Sequence, residues 1–185
     1  MTLPEPIDTN ILNKITIRSE TPEDYDQITR VNDLAFNGKQ EGELIKNLRK
    51  REQFIPELSL ICESNGVIAG HILLFPIHIV SGNEKYPIIA LGPMSVRPGF
   101  QNKGIGSELI KEGLKRAGEL GFESVLVLGH PKYYPKFGFK KASWWKIKAD
   151  FDVPDEALMA IELKKGSLAF GGGVIDYPSE YLDAL

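Results

Sequence analysis

A short segment, "RPGFQNKGIGSELI" (97–110), places two glycines and a lysine between an apolar run and residues with helical periodicity. The first N–H groups of a helix lack intrahelical acceptors and carry partial positive charge, so phosphate is a natural ligand there. Glycine lets oxygen atoms approach the backbone closely. The segment therefore predicts a phosphate-binding loop, although a glycine turn before a helix also occurs without a ligand. The predicted contacts are Gln101, Asn102, Lys103, Gly104, Ile105, Gly106 and Ser107.

Two familiar nucleotide-binding motifs do not fit this loop. A P-loop requires Gly-Lys followed by Ser or Thr, whereas Lys103 precedes Gly104. A dinucleotide-binding fingerprint requires a third glycine three residues after Gly106, and that residue is Leu109. The strand before the loop also ends an antiparallel meander instead of opening a parallel set. Both nucleotide interpretations are therefore excluded.

The strand that leads into the loop contains Gly92 and Pro93. Proline removes a donor from the hydrogen-bond ladder and glycine favours a bend, so this strand should separate from its neighbour. The backbone groups of Met94 and Val96 would then be available to the amides of an extended ligand that runs toward the phosphate loop. A long molecule with amides at one end and pyrophosphate at the other is coenzyme A.

The remaining pattern predicts an α/β protein with a mixed sheet. A strand over "KITIRSE" precedes two helices, over "TPEDYDQITRVNDLAF" and "KQEGELIKNLRKR", with Thr21 and Pro22 at the first helix start. Three antiparallel strands follow, with a hairpin at Asn65-Gly66. A helix over 104–120 then leads to the apolar strand "SVLVLG", which predicts a parallel pair joined by a crossover. Two further strands are expected in "WWKIKAD" and "ALMAIELK", and the triple glycine 171–173 is typical of a turn.

Composition excludes several classes of protein. The 185 residues predict a single domain, with a core over about 14–150 and a carboxyl-terminal part over 151–185. The formal net charge of −3 includes no basic block, so no nucleic-acid partner is expected. The one cysteine, Cys62, is expected to be a small buried residue in a reducing cytoplasm. The start "MTLPEPIDTN" has no signal-peptide pattern, and no segment predicts a membrane span or a metal site.

The segment "MSVRPGFQNKGIGSELI" resembles the acyl-CoA signature Gln/Arg-x-x-Gly-x-Gly/Ala of the GNAT superfamily of N-acetyltransferases, at Gln101, Gly104 and Gly106. A second family segment, an aromatic-rich turn ending in Gly-Phe, matches "YYPKFGFKKAS". Within the superfamily, "EGELIKNLR" and "GHILLFPIHI" are similar to a bacterial group of predicted N-acetyltransferases, the YhbS-like group. The resemblance implies a GNAT-like fold with a splayed central strand, acetyl-CoA as the donor, and transfer to a small-molecule or peptide amine in a monomer or homodimer.

The resemblance also implies roles for single residues. Tyr134 occupies the position of a tyrosine that protonates the departing thiolate, with Tyr133 and Phe137 expected in the core. For the general base the candidates are Glu41, Glu43 and His71, and Glu41 is preferred because it shares a helical face with Leu44 and Ile45. "GHP" at 129–131 replaces an asparagine found in many relatives, so the cofactor contact must differ there. An acyl-CoA-binding sensor or scaffold without turnover remains the alternative.

Overall fold

The computed structural model describes residues 15–184, so the residues before Ile15, where no signal peptide is predicted, lie outside the described part. Within that part the chain forms a mixed α/β fold with nine strands and four α-helices. The strands are β1 Ile15–Ser19, β2 Ser59–Ser64, β3 Val67–Ser81, β4 Glu84–Val96, β5 Ser124–Leu128, β6 Lys140–Lys141, β7 Ile147–Lys148, β8 Leu158–Glu162 and β9 Gly173–Asp176. The helices are α1 Tyr25–Phe36, α2 Gln40–Leu48, α3 Ile105–Glu119 and α4 Ser179–Asp183.

All nine strands join one sheet, whose main order is β1-β2-β3-β4-β5-β8-β6. β2, β3 and β4 form the antiparallel meander that the hairpin signals predict, and β1 lies antiparallel to β2. β5 lies parallel to β4 and is reached through α3, which confirms the predicted crossover. β9 pairs with residues 78–80 of β3, beyond the residues of β3 that β2 occupies.

Helices cover both faces of the sheet, which explains why β3 and β5 are almost wholly apolar. On one face, Ile28 of α1 and Leu48 of α2 pack in one core with Phe75 of β3. On the other, Leu109 of α3 packs in a second core with Ile72. None of the helices in residues 15–184 is long and apolar enough to cross a membrane.

Two predictions for the carboxyl-terminal third need correction. The expected strand over "WWKIKAD" begins as a 3₁₀ helix, Ala142–Trp145, and only two residues of it form β7. The chain turns at Lys146, whose φ of 58° is incompatible with an extended run. Trp145 packs against the core, whereas Trp144 is 69% exposed. The tail forms β9, which begins at the last residue of the triple glycine, and α4. Neither was predicted, and β9 is defined by its distant pairing with β3.

Candidate functional site

The sheet opens between β4 and β5. These strands pair only where residues 89–91 of β4 meet residues 125–127 of β5. Gly92 and Pro93 follow, joined by a cis peptide bond, and from Met94 to Val96 the strand remains paired with β3 alone. The predicted separation of the fourth strand from its neighbour is therefore confirmed.

The backbone of the opened part of β4 faces the gap at alternate residues. The N–H of Arg97 donates to the carbonyl of Ala69 on β3, at 2.8 Å. Because successive residues direct their backbone groups to opposite sides, those of Met94 and Val96 point to the gap, as predicted. The carbonyl of Val96 already accepts a bond from Nε2 of Gln101, at 3.0 Å. Gln101, predicted as a cofactor contact, thus holds the loop against β4.

The loop after β4 has the conformation that a phosphate cradle needs. Asn102 and Gly104 have φ angles of 59° and 86°, in the left-handed region, and α3 begins at the next residue. The first intrahelical bond runs from the N–H of Glu108 to the carbonyl of Gly104, at 3.1 Å. The N–H groups of residues 105–107 consequently have no intrahelical acceptor. They border a space of about 360 Å³, which we call the loop cavity.

The residues around the loop cavity differ in part from those predicted. Lys103 is not among the described residues that line it, so its contact with phosphate stays a prediction. The lysine that does line it is Lys136, whose Nζ lies 4.0 Å from the centre of the Tyr133 ring. A Cβ added to Gly106 would lie 2.9 Å from the Tyr133 hydroxyl oxygen, so glycine is what lets Tyr133 approach the helix start. The full lining is Met94, Val96, Phe100, Gln101, Asn102, Gly104, Ile105, Gly106, Ser107, Tyr133 and Lys136.

A second and larger space lies where β4 and β5 diverge. It measures about 530 Å³ and is surrounded mainly by apolar and aromatic side chains, so we call it the apolar cavity. Met94 and Tyr133 line both cavities. The two cavities therefore adjoin at these two side chains. The lining comprises Phe36, Glu41, Leu44, Ala90, Leu91, Gly92, Pro93, Met94, Leu128, Gly129, His130, Tyr133, Tyr134, Phe151, Tyr177, Tyr181, Leu182 and Ala184.

Tyr134 lies in the wall of the apolar cavity, in the 3₁₀ helix Tyr134–Phe137. Its ring packs edge-to-face against Phe139, with centroids 5.6 Å apart, and the residue is 7% exposed. Burial, with a smaller contribution from Tyr133, raises the pKa of the Tyr134 phenol, so the hydroxyl remains protonated at neutral pH. A Cβ at Gly129 would lie 2.5 Å from Cε2 of this ring. Glycine at that position therefore gives the Tyr134 ring its space.

The two glutamates of α2 face different surroundings. Glu41 is half-buried and lines the apolar cavity beside Leu44. Glu43 is exposed, and its Oε1 accepts a bond from Lys46 Nζ at 2.7 Å, which lowers the pKa of the Glu43 carboxyl. The predicted helical phase is therefore confirmed, while the chemical role of Glu41 stays a prediction.

His71, the third candidate base, is fully buried and is not among the lining residues of either cavity. Its Nε2 lies 2.9 Å from Ser59 Oγ and 3.5 Å from Glu20 Oε2. Burial outweighs the neighbouring carboxylate and lowers the pKa of His71, so the ring is neutral at pH 7. Glu20 also accepts two bonds from Arg49, at 2.7 and 2.8 Å. His71 thus belongs to a buried polar cluster under α1 and α2, and not to the cavities.

Sequence reasoning missed part of the site. Tyr133, expected in the core, is only partly buried and borders both cavities. The far wall of the apolar cavity comes from the chain after residue 150, through Phe151, Tyr177 and Tyr181. No local pattern announces this wall, because Tyr177 precedes α4 and is separated from Tyr181 by the extended residue Pro178.

The sequence profile of the acetyltransferase (GNAT) domain matches residues 16–142, and the chain belongs to that family. An uncharacterized N-acetyltransferase of Escherichia coli K12, YjhQ, is 34% identical over 135 residues, which cover 72% of this chain and 74% of YjhQ. Another from the same strain, YhbS, is 23% identical over 165 residues, which cover 89% of this chain and 97% of YhbS.

Solved structures agree with this assignment. The crystal structure of E. coli YhbS in complex with CoA superposes with a TM-score of 0.84 at 24% identity, covering 91% of this chain and 92% of that one. A GNAT family acetyltransferase from Brucella melitensis, in complex with acetyl-CoA, gives a TM-score of 0.74 at 30% identity, covering 90% and 97%. The GNAT-like fold predicted from the sequence is thereby confirmed, and so is the resemblance to the YhbS group.

Proposed function

We propose that this protein transfers an acetyl group from acetyl-CoA to a primary amine by direct attack. The observation that carries the proposal is that the loop cavity and the apolar cavity adjoin where β4 and β5 separate, with Met94 and Tyr133 lining both. The Brucella and E. coli relatives crystallised with acetyl-CoA and CoA support the choice of donor.

The residues of the loop cavity fit such a donor. The N–H groups of residues 105–107 at the start of α3, which have no intrahelical acceptor, suit the pyrophosphate. Lys136, which also lines the loop cavity, adds a positive charge. The inward backbone groups of Met94 suit the amides of the pantetheine arm. Asn102, Ile105 and Ser107 complete the proposed contacts.

The thioester of acetyl-CoA supplies an activated acetyl group, and the side chains of the apolar cavity must manage two protons. An alkyl ammonium has a pKa of about 10.4, so the acceptor must lose a proton before its nitrogen can attack. Glu41 lines the apolar cavity, and its carboxylate accepts this proton directly or through a water molecule. As the new C–N bond forms and the C–S bond breaks, the neutral Tyr134 phenol donates a proton to the sulfur, and the excess proton of the newly bonded nitrogen returns the phenolate to the phenol.

A covalent acyl-enzyme on cysteine receives no support. Cys62 lies fully buried in the core on the α3 side of the sheet, and burial raises the pKa of its thiol to about 11. A thiol in that state is a poor nucleophile. Direct attack of the amine on the thioester is the simpler route.

Turnover with amines tests the proposal. Purified protein is incubated with acetyl-CoA and a panel of primary amines while thiol release is followed, and CoA binding is measured in parallel by calorimetry. We expect amine-dependent thiol release. CoA binding without turnover of any amine would instead favour an acyl-CoA sensor, and absence of CoA binding would refute both functions.

A further inference from the structure

We propose that the acceptor is a monocationic amine with an apolar, preferably aromatic, body, bound in the apolar cavity beyond the opened strand. The proposal rests on the proposed function, because it names the substrate class of the same site. Three independent features of the cavity carry it: its aromatic wall, its apolar mouth and its single carboxylate.

The wall is a connected aromatic cluster. The ring of Tyr177 lies between Phe151 and Tyr181, at centroid distances of 6.1 and 5.3 Å. Tyr181 in turn packs edge-to-face with Phe75 in the core, at 6.4 Å. The two pairs are tilted by 43° and 46°, so the wall is an angled aromatic surface. Such a surface suits another ring, since aromatic pairs prefer offset or edge-to-face contacts at about 4.5–7 Å.

The mouth of the cavity is apolar as well. Phe36 at the end of α1 is 44% exposed and Leu182 of α4 is 43% exposed, and both belong to the lining. Large apolar side chains from two separate helices thus border the same opening. A polar acceptor such as an amino sugar would lose hydrogen bonds to water on passing them, whereas an apolar body would gain by covering them.

The charge of the cavity selects for a single cation. Among the described residues that line it, Glu41 is the sole carboxylate, and none is a lysine or an arginine. An ammonium group is attracted to that carboxylate, whereas the carboxylate of a free amino acid is repelled. A polyamine would have to bury its further charges against aromatic rings without anionic partners.

The wall is fixed in place before any acceptor arrives. The Tyr181 hydroxyl donates to the carbonyl of Gly92, at 2.9 Å, where the sheet opens. Arg51 donates two hydrogen bonds to Glu180 of α4, at 2.8 and 2.7 Å. A preformed surface avoids the cost of ordering the tail on binding, which favours selection by shape.

The same cavity is less suited to a long acyl chain on the donor. An alkyl chain would displace water from Glu41 and leave the carboxylate without a partner, which is costly in an apolar space. An acceptor amine, in contrast, supplies an ammonium group that pairs with the Glu41 carboxylate. We therefore assign the apolar cavity to the acceptor.

Calorimetry on the CoA-saturated protein tests this assignment without requiring turnover. The probes are 2-phenylethylamine, its uncharged analogue 2-phenylethanol, and the polar amines ethanolamine and spermidine. We expect 2-phenylethylamine to bind at least about 10-fold more tightly than each of the others, since it alone matches both the rings and the carboxylate.

Two matched variants test whether 2-phenylethylamine contacts the mouth of the apolar cavity. Phe36→Ser should weaken 2-phenylethylamine binding by about 5- to 10-fold, because it removes an exposed ring from the mouth. Leu34→Ser is the control, because Leu34 lies on the same helix with 45% exposure but lines a separate groove with Ile68 and Arg97. It should leave the affinity within about 2-fold.

The outcomes separate the acceptor class from the reaction. Equal affinities for 2-phenylethylamine and ethanolamine would overturn the acceptor class. Equal losses of 2-phenylethylamine affinity in the two variants would do so as well. So would competition between 2-phenylethylamine and the acyl chain of octanoyl-CoA for the cavity. Selective binding of 2-phenylethylamine without its acetylation would support the acceptor class and refute the transferase. Acetylation confined to polar amines would refute the acceptor class and support the transferase.

Discussion

Replacing Ser107 by glutamate should separate CoA binding from folding. Ser107 is the third residue of α3 and lines the loop cavity. A carboxylate in the first turn of a helix stabilises the helix by about 0.3–1 kcal/mol through the helix dipole. The same carboxylate would repel the negatively charged pyrophosphate of CoA. Ser107→Gln is the matched control, because it has nearly the same size and no charge.

The expected penalty follows from Coulomb's law. One carboxylate about 5 Å from one phosphate charge costs about 0.8 kcal/mol at a water-like dielectric constant and about 3 kcal/mol at an effective value near 20. The loop cavity is partly open and pyrophosphate carries two charges, so we expect about 2–3 kcal/mol, or roughly 30- to 150-fold in Kd. Ser107→Gln should lose less than about 5-fold, because only the steric part remains.

Calorimetric titration with CoA measures the affinities, and thermal unfolding without ligand measures stability. We expect Ser107→Glu to unfold at an unchanged or higher Tm while its Kd rises. The penalty should shrink when salt is raised from about 0.1 M to about 1 M, because the Debye length falls from about 10 to about 3 Å. If the glutamate and glutamine variants bind CoA equally well, the pyrophosphate does not lie at the start of α3 and the site is misassigned.

Three further predictions concern other parts of the molecule. Tyr134→Phe should lower kcat by about 10²- to 10⁴-fold with an unchanged Kd for acetyl-CoA, because it removes a proton donor and keeps the ring; stopped-flow or steady-state thiol release measures it, and a fully active variant would assign the proton to water. Glu41→Gln should raise the KM of a cationic acceptor or lower kcat, whereas Glu43→Gln, altered on the solvent side of α2, should change neither; equal effects would contradict the cavity assignment. For Glu20, burial alone would raise the pKa, but hydrogen bonds from His71 and Arg49 outweigh it and hold the pKa at about 2 instead of 4.5. Its stabilisation, about 3 kcal/mol, is therefore complete above pH 4.5 and lost as the pH falls toward 2, so urea unfolding of Glu20→Gln should show a flatter pH dependence in that window than the unaltered protein.

Much of the fold and half of the site follow from local patterns. The glycines of the loop, the helical phase of Glu41 and the bend at Gly92 and Pro93 are properties of a few neighbouring residues, and the structure places each of them as predicted. Helical periodicity is sufficient to predict the face of Glu41, and the backbone preferences of glycine and proline are sufficient to predict the loop and the bend.

The parts of the site that the sequence did not predict depend on contacts between distant parts of the chain. Tyr133 was predicted in the core because aromatic residues usually are, but its hydroxyl lies near Gly106, about thirty positions earlier. His71 was a candidate base, but it is held away from the cavities by Glu20 and Ser59, which precede it by 51 and 12 positions. Tyr181 reaches the site through a bond to Gly92 that no local pattern announces.

The position of the acceptor wall along the chain has an evolutionary consequence. The family profile ends at residue 142, whereas Phe151, Tyr177 and Tyr181 all follow it. Mutations in this last part of the chain can reshape the acceptor cavity while the loop, the opened strand and Tyr134 stay intact. After gene duplication, one copy can therefore acquire a new substrate while it keeps its donor chemistry, and paralogues should diverge fastest in this wall. Closely similar family domains with different tails are accordingly expected to act on different amines.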